Sequence, residues 1–107
     1  MSKRHWRGMV NRYVIAKVVQ QMLLMGARAT LKVLLAIVEE MYADFLDKYG
    51  NQLDIKSKKD MAELESYFKQ TWAKECKKQV SNRYSLFFVR IYVFSHEKNV
   101  NLYDFVL

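Results

Sequence analysis

The residues best suited to chemistry in this chain are cations that stand beside an aromatic ring near its start. They are Lys3, Arg4, Trp6, Arg7 and Arg12. Guanidinium and ammonium groups neutralise phosphates, and an exposed indole can stack on an unpaired base. We therefore expect residues 1–8 to form a basic N-terminal arm that binds nucleic acid, with Gly8 as a joint before the first helix.

A second basic patch is predicted in the later half of the chain. Lys74, Lys77 and Lys78 fall on one side of a predicted helix, where their ammonium groups could follow a phosphate backbone. The other cations of this patch are Lys56, Lys58, Lys59, Lys69 and Arg83. Lysine-rich exposed helices also serve solubility alone, so the patch supports nucleic-acid binding only together with the basic arm.

Catalytic and metal-binding signatures are missing from the sequence. His5, His96 and Cys76 have no zinc-ligand spacing, and a single cysteine on an apolar helix face is more often an inert core residue than a nucleophile. Four acids crowd one predicted helix face, where solvation or ion pairing is the stronger interpretation: Glu39, Glu40, Asp44 and Asp47. Phosphate-binding loops and nucleophile-elbow motifs are absent. We predict a protein that is not an enzyme and uses no cofactor and no metal.

Positive charge is concentrated in the first third of the chain. The net charge is +7, and residues 1–38 hold seven basic groups and no acid, whereas residues 39–55 hold five acids against Lys48. This asymmetry is typical of proteins that contact a polyanion or an acidic partner. Apolar residues make up 51% of only 107 residues, more than a small monomer readily buries. A homo-oligomer is therefore expected.

Cysteine usage and hydropathy restrict the environment of the protein. Cys76 is the only cysteine and cannot form an internal disulfide, which predicts a reducing, intracellular compartment, either cytoplasm or nucleus. Charged and amide side chains interrupt every apolar window of about 18 residues, so no membrane span is predicted.

Amphipathic periodicity predicts the helices that must position these side chains. Apolar residues recur at helical spacing over residues 10–25, 30–49 and 57–81. The apolar faces are predicted to contain Val14, Ile15, Val18, Val19, Met22, Leu23 and Met25 in the first helix; Leu31, Leu34, Leu35, Val38, Met41, Tyr42, Phe45 and Tyr49 in the second; and Met61, Leu64, Phe68, Trp72 and Cys76 in the third.

The helix ends carry their own signals. The apolar stripe slips in phase at Gly26, which predicts a tight turn over 26–29 with Thr30 as N-cap. One long, kinked helix over 10–49 is the alternative. Gly50 is expected to end the second helix in the left-handed conformation, and Ser57 to cap the third.

These elements predict a mainly α fold in one domain, residues 1–107. It would contain a helical hairpin (10–49), a third amphipathic helix (57–81) and a short apolar C-terminal element. Residues 84–94 are rich in β-branched and aromatic side chains, which favours a β-hairpin over a fourth helix by propensity; both remain open. An antiparallel hairpin would also place Arg7 and Arg12 near Asp44 or Asp47, where internal pairing competes with ligand binding.

The function predicted from these patterns is non-enzymatic binding of nucleic acid, DNA or RNA, mainly through backbone phosphates, by a small basic helical homo-oligomer. The alternative is a protein-interaction module, an inhibitor or assembly adaptor, that binds an acidic protein partner. A weaker alternative is an oligomer that captures a small anionic ligand between subunits. The composition suits a viral or phage protein as well as a cellular one.

Overall fold

The computed structural model describes residues 3–83, with the side chains of residues 6–83, and this part of the chain is mainly helical. Its helices are α1 (Lys3–Met25), α2 (Leu31–Ala36), α3 (Val38–Tyr49) and α4 (Lys58–Ser81), with short 3-10 turns at Gly26–Arg28 and Gly50–Gln52. Within residues 3–83 there is no strand. The C-terminal element predicted over residues 84–107 lies outside the described residues.

Helix α1 begins earlier than predicted, so the joint expected at Gly8 is wrong. The helix runs from Lys3 through Gly8 to Met25 without interruption. Trp6 is only 3% exposed and belongs to the same core cluster as Val10. Trp6 and Val10 are four residues apart, which extends the apolar stripe by one turn towards the N-terminus. The residues predicted as an arm are therefore continuous with the first helix.

The turn after α1 confirms two separate helices instead of one kinked helix. Gly26 has a positive φ of 60°, a conformation that glycine adopts without steric cost. The Thr30 hydroxyl accepts a hydrogen bond from the Val33 amide at 3.2 Å and caps α2, as predicted. Arg83 donates through Nη2 to the carbonyls of Gly26 and Ala29, at 2.9 and 2.7 Å. Arg83, predicted in the second basic patch, therefore ties the end of α4 to this turn.

The helix predicted over residues 30–49 is interrupted at Ile37, which separates α2 from α3. In a continuous helix the Leu34 carbonyl accepts from the amide of residue 38. Here it accepts from the Trp72 indole Nε1 at 2.7 Å, in the buried interior. The interruption therefore coincides with a hydrogen bond from α4, and no local helix breaker stands at that point of the sequence.

The predicted left-handed ending at Gly50 is wrong, although α3 does end at Tyr49. Gly50 has φ −54° and ψ −38°, which is right-handed helical backbone. The chain tightens instead into the 3-10 turn Gly50–Gln52, closed by a bond from the Leu53 amide to the Gly50 carbonyl at 3.2 Å. Such turns commonly finish an α-helix, because bonds over three residues satisfy the last carbonyls.

Helix α4 is the element against which α1, α2 and α3 all pack. Ser57 caps it as predicted, since its hydroxyl accepts from the Asp60 amide at 3.1 Å. The predicted stripe is fully buried except at Met61, which is 39% exposed; the buried members are Leu64, Phe68, Trp72 and Cys76. This stripe determines which side of α4 faces solvent beside α1.

The predicted apolar faces of the other helices do face the core, but only about half of their residues are buried. The buried ones are Val14, Val18, Met22, Leu34, Met41, Tyr42 and Phe45. Partly buried ones packed against the core are Val19, Leu23, Met25, Leu31, Leu35, Val38 and Tyr49. Ile15 is 44% exposed, because it lies beside α4 at the surface and not beneath it. Tyr13 is fully buried although it was not predicted on this face.

Candidate nucleic-acid interface

A shallow depression of about 730 Å³ lies between the solvent sides of α1 and α4. Helix α1 contributes Asn11 and Ile15, and α4 contributes Thr71, Lys74 and Lys78. Ile15 and Thr71 provide apolar surface, while the two lysines carry positive charge. These residues lie at the surface because the apolar stripe of α4 faces the core, which leaves the other side of the helix towards solvent.

A second depression of about 520 Å³ adjoins the first. It is lined by Arg7 from α1 and by Lys59, Glu63 and other residues of α4, and the two depressions share Tyr67 and Gln70. We call the combined surface the α1–α4 groove, defined by Arg7, Asn11, Ile15, Lys59, Glu63, Tyr67, Gln70, Thr71, Lys74, Glu75 and Lys78. The groove follows most of the length of α4.

Tyr67 connects the two helices in the middle of the groove. Its hydroxyl donates to the Asn11 side-chain oxygen at 2.7 Å. Its ring meets the Trp6 ring edge to face, with centroids 5.6 Å apart. The Arg7 guanidinium lies 5.2 Å from the Tyr67 centroid and 5.7 Å from the Trp6 centroid. Two aromatic rings therefore hold Arg7 in place while the residue stays exposed.

The placement of Trp6 corrects its predicted role. An indole that is 3% exposed cannot offer a face to an unpaired base. Trp6 is buried because it occupies the first apolar position of the α1 stripe, beside α4. Its contribution to this surface is to support the Arg7 guanidinium.

Positive charge dominates the groove. Its four cations are Arg7, Lys59, Lys74 and Lys78, against the carboxylates of Glu63 and Glu75. Glu75 already accepts a hydrogen bond from the side-chain amide of Gln79 at 2.8 Å. Among the described residues, no carboxylate forms an ion pair with Lys74 or Lys78. These two ammonium groups are therefore available to an external anion.

The groove brings together some of the predicted site residues and separates others. Arg7, Lys74 and Lys78 line it, whereas Arg12 and Lys77 are exposed but do not. Lys3 and Arg4 lie in the first turn of α1, and their side chains are outside the described residues. Whether any of these residues binds nucleic acid stays a prediction.

Sequence reasoning did not single out Lys59 as part of the same surface as Lys74 and Lys78. On a helical wheel the three lysines fall within an arc of roughly 100°, so the sequence of α4 by itself was enough to predict their common side. The contributions of Asn11 and Tyr67 had no comparable signal, because they depend on where α1 crosses α4.

The ion pairs within the fold involve different cations from those that the sequence suggested. Asp44 accepts from the Tyr13 hydroxyl at 2.5 Å and lies 3.4 Å from the Lys48 ammonium and 3.8 Å from that of Lys17. The competing possibility, that Arg7 or Arg12 pairs with Asp44 or Asp47, is therefore not seen among the described residues. Tyr13 and Lys17 lie one turn apart on the side of α1 that meets α3, while Arg12 points to solvent.

Lys69 was predicted in the second basic patch, but it is ion-paired within the fold. Its ammonium contacts Glu39 at 2.6 Å and Glu65 at 3.0 Å. Those two carboxylates raise the pKa of Lys69. Glu39 was predicted to be solvated or ion-paired, and this contact with α4 agrees with that interpretation.

Cys76 is placed as an inert residue. It is fully buried, and desolvation raises the pKa of its thiol to about 12, with a smaller contribution from Glu75. A thiol with so high a pKa is not a nucleophile at neutral pH. Among residues 6–83, no three His, Cys, Asp or Glu side chains are grouped as a metal site would require.

No helix in the described part of the chain combines the length and the apolar character needed to cross a membrane.

In comparisons with known proteins, no family model, no curated protein and no solved structure matches this chain.

Proposed function

We propose that this small, basic helical protein is a non-enzymatic binder of nucleic acid, DNA or RNA, which contacts mainly backbone phosphates along the α1–α4 groove. One observation supports the proposal above the others: Arg7 from the first helix and Lys74 and Lys78 from the last line one continuous surface. A polyanion lying along that surface would meet cations that the sequence places far apart.

The individual cations suit phosphate. Lys74 and Lys78 are one helical turn apart, about 6 Å along the axis, and each can neutralise a separate phosphate of one strand. Arg7 packs against two aromatic rings, so its planar fork loses less freedom when it binds a phosphate oxygen. Contacts of this kind position a protein on nucleic acid without reading its sequence.

Removing the three groove cations together should flatten the salt dependence of binding. In the variant Arg7→Gln, Lys74→Gln, Lys78→Gln, three phosphate contacts are lost, so the log–log slope against salt should fall by about 2.7 units, or roughly 0.9 per contact. Affinity at low salt should fall by a similar factor for every sequence tested. Fluorescence anisotropy with labelled oligonucleotides across a salt series measures both quantities.

The chain offers a control that removes the same charge from elsewhere. Arg12, Lys32 and Lys77 are exposed and do not line the groove, so the triple glutamine variant at these positions should lose clearly less slope. Equal losses in both variants would mean diffuse attraction by net charge and no particular site. If the wild-type protein binds neither duplex nor single strands at low salt, the proposal is wrong.

We further propose that the protein acts as a homo-oligomer. Among residues 6–83 the most exposed large apolar side chain is Leu24, at 70%, and Ile15, Val33 and Met61 are also exposed. Burial of such surface favours association. Light scattering at micromolar concentration should therefore give at least twice the chain mass of 12.8 kDa. A mass of one chain throughout that range contradicts this expectation.

The exposed apolar side chains also favour the second candidate, a module that binds an acidic protein partner. Leu24 and Val33 flank the turn that carries Arg28, and Lys32 follows it, all of them exposed. Apolar contact with a positive surround suits an acidic protein surface. Capture of one protein that survives high salt, without nucleic-acid binding, would favour this candidate over the first.

A further inference from the structure

We infer that the α1–α4 groove takes double-stranded nucleic acid in preference to single strands; this deepens the proposed function and rests on it. Sites for single strands combine a basic groove with aromatic faces on which successive bases stack. In the described part of this groove the aromatic rings are engaged within the protein. Trp6 is buried, and the Tyr67 ring packs against Trp6 and carries the Arg7 guanidinium.

The loss of base stacking favours binding of a duplex over binding of a single strand. Stacking contributes about 1–3 kcal/mol per base to single-strand binding, and this groove forgoes it because its rings support a cation. What remains is attraction between cations and phosphates, which depends on the charge density of the polymer. A duplex carries about one charge per 1.7 Å of its axis, so it offers more phosphates to a surface of given length than one strand does.

The cations of the groove are also spread over a long surface. On α4, Lys59 stands at one end of the groove and Lys74 near the other. The rise of a helix separates them by about 22 Å, which is wider than the major groove of B-DNA, about 12 Å. Between them the lining side chains of α4 include Glu63, Gln70 and Thr71. The two ends would therefore meet phosphates about 6 base pairs apart along a duplex, at about 3.4 Å for each pair.

The rigidity of α4 keeps the two ends of the groove at a constant separation. The helix is held by a fully buried stripe that includes Leu64, Phe68 and Trp72, so the backbone that carries its lysines is fixed. The span from Lys59 to Lys78 is about 28 Å, or roughly 8 base pairs at about 3.4 Å each. A stiff duplex can meet cations at both ends of this span without being ordered first, whereas a flexible strand loses conformational entropy when it is aligned.

The test uses fluorescence anisotropy at one salt concentration to compare a DNA duplex with each of its separated strands. A duplex of about 12 base pairs is long enough, because the span from Lys59 to Lys78 covers only about 8. The duplex should bind the wild-type protein at least tenfold more tightly than either strand. Lys59→Gln should lower the salt slope for the duplex by about 0.9 units. An RNA duplex of the same sequence, measured in the same way, shows whether the groove binds DNA or RNA duplexes more tightly.

Lys58→Gln is the matched control, because Lys58 is the exposed neighbour of Lys59 and does not line the groove. It should leave the duplex slope nearly unchanged. Strands that bind as tightly as the duplex, or equal losses at Lys58 and Lys59, would overturn the preference for a duplex and leave phosphate binding by the groove intact. Absence of binding to all four probes would instead remove the proposed function itself.

Discussion

Phe45→Ala is expected to lower the free energy of unfolding by about 3–5 kcal/mol. Phe45 is fully buried and lies where α1, α3 and α4 meet. Its ring centroid is 5.3 Å from that of Tyr13, 5.5 Å from that of Phe68 and 5.6 Å from that of Tyr49. Truncation removes a large buried area and leaves a cavity among side chains that cannot all move into it. Urea unfolding followed by circular dichroism measures the loss.

Asp47→Ala is the control for this prediction. Asp47 is exposed and lies on the same helix as Phe45, and alanine is a good helix former, so the change should stay within about 0.5 kcal/mol. An unfolding curve of Phe45→Ala that overlays the wild type would show that the three helices do not share this core.

Tyr13→Phe is expected to destabilise the fold by about 1.5–3 kcal/mol at neutral pH. Tyr13 is fully buried, and its hydroxyl lies 2.5 Å from the Asp44 carboxylate and 3.1 Å from the Met41 carbonyl. Hydrogen bonds to an ionised acceptor contribute more than neutral ones. The variant keeps the ring packing but leaves Asp44 with its lysine partners alone. Chemical denaturation of both proteins at pH 7 gives the difference.

The effect of Tyr13→Phe should depend on pH. Burial by itself raises the pKa of Asp44, but the Tyr13 hydroxyl, Lys48 and Lys17 together lower this pKa below its usual value. A carboxylate with a depressed folded pKa stabilises the fold above its unfolded pKa, about 3.9, and this stability is lost as pH falls through the folded pKa. Without the Tyr13 hydroxyl the pKa rises. The difference between the two proteins should therefore be greatest above about pH 4 and shrink below it.

Tyr42→Phe supplies the matched control. Tyr42 is also buried, but its hydroxyl contacts the Met61 sulfur at 3.4 Å, and a thioether is a weak acceptor. This variant should lose less than about 1 kcal/mol, with no change between acidic and neutral pH. If Tyr13→Phe behaved in the same way, the bond to Asp44 would contribute nothing to stability.

The helices and most of their ends were predictable because their signals are local. Apolar spacing placed Leu34, Phe45 and Phe68 on buried faces. Thr30 and Ser57 cap the helices that they were predicted to cap. Each of these features depends on a few neighbouring residues: a cap needs one hydroxyl and one amide a few positions on, and a stripe needs only the helical period.

The interruption at Ile37 and the burial of Trp6 were decided by the tertiary structure. The Leu34 carbonyl accepts from Trp72, which is far away in the sequence, so no pattern within residues 30–49 could reveal it. Trp6 was predicted to be exposed because it lies among cations. It is buried because α4 places Tyr67 beside it, and a large aromatic ring gains more from apolar contact than from solvent.

In the candidate site, too, some features were predictable from the sequence and others were decided only by the tertiary structure. Sequence alone established which residues carry charge and that Lys74 and Lys78 share one side of a helix. Only the crossing of α1 on α4 decided that Arg7 joins them, that Arg12 and Lys77 do not, and that Lys69 and Arg83 are used within the fold. The physical reason is that a crossing depends on the packing of many side chains on both helices at once, whereas charge and helical phase belong to each residue and its near neighbours.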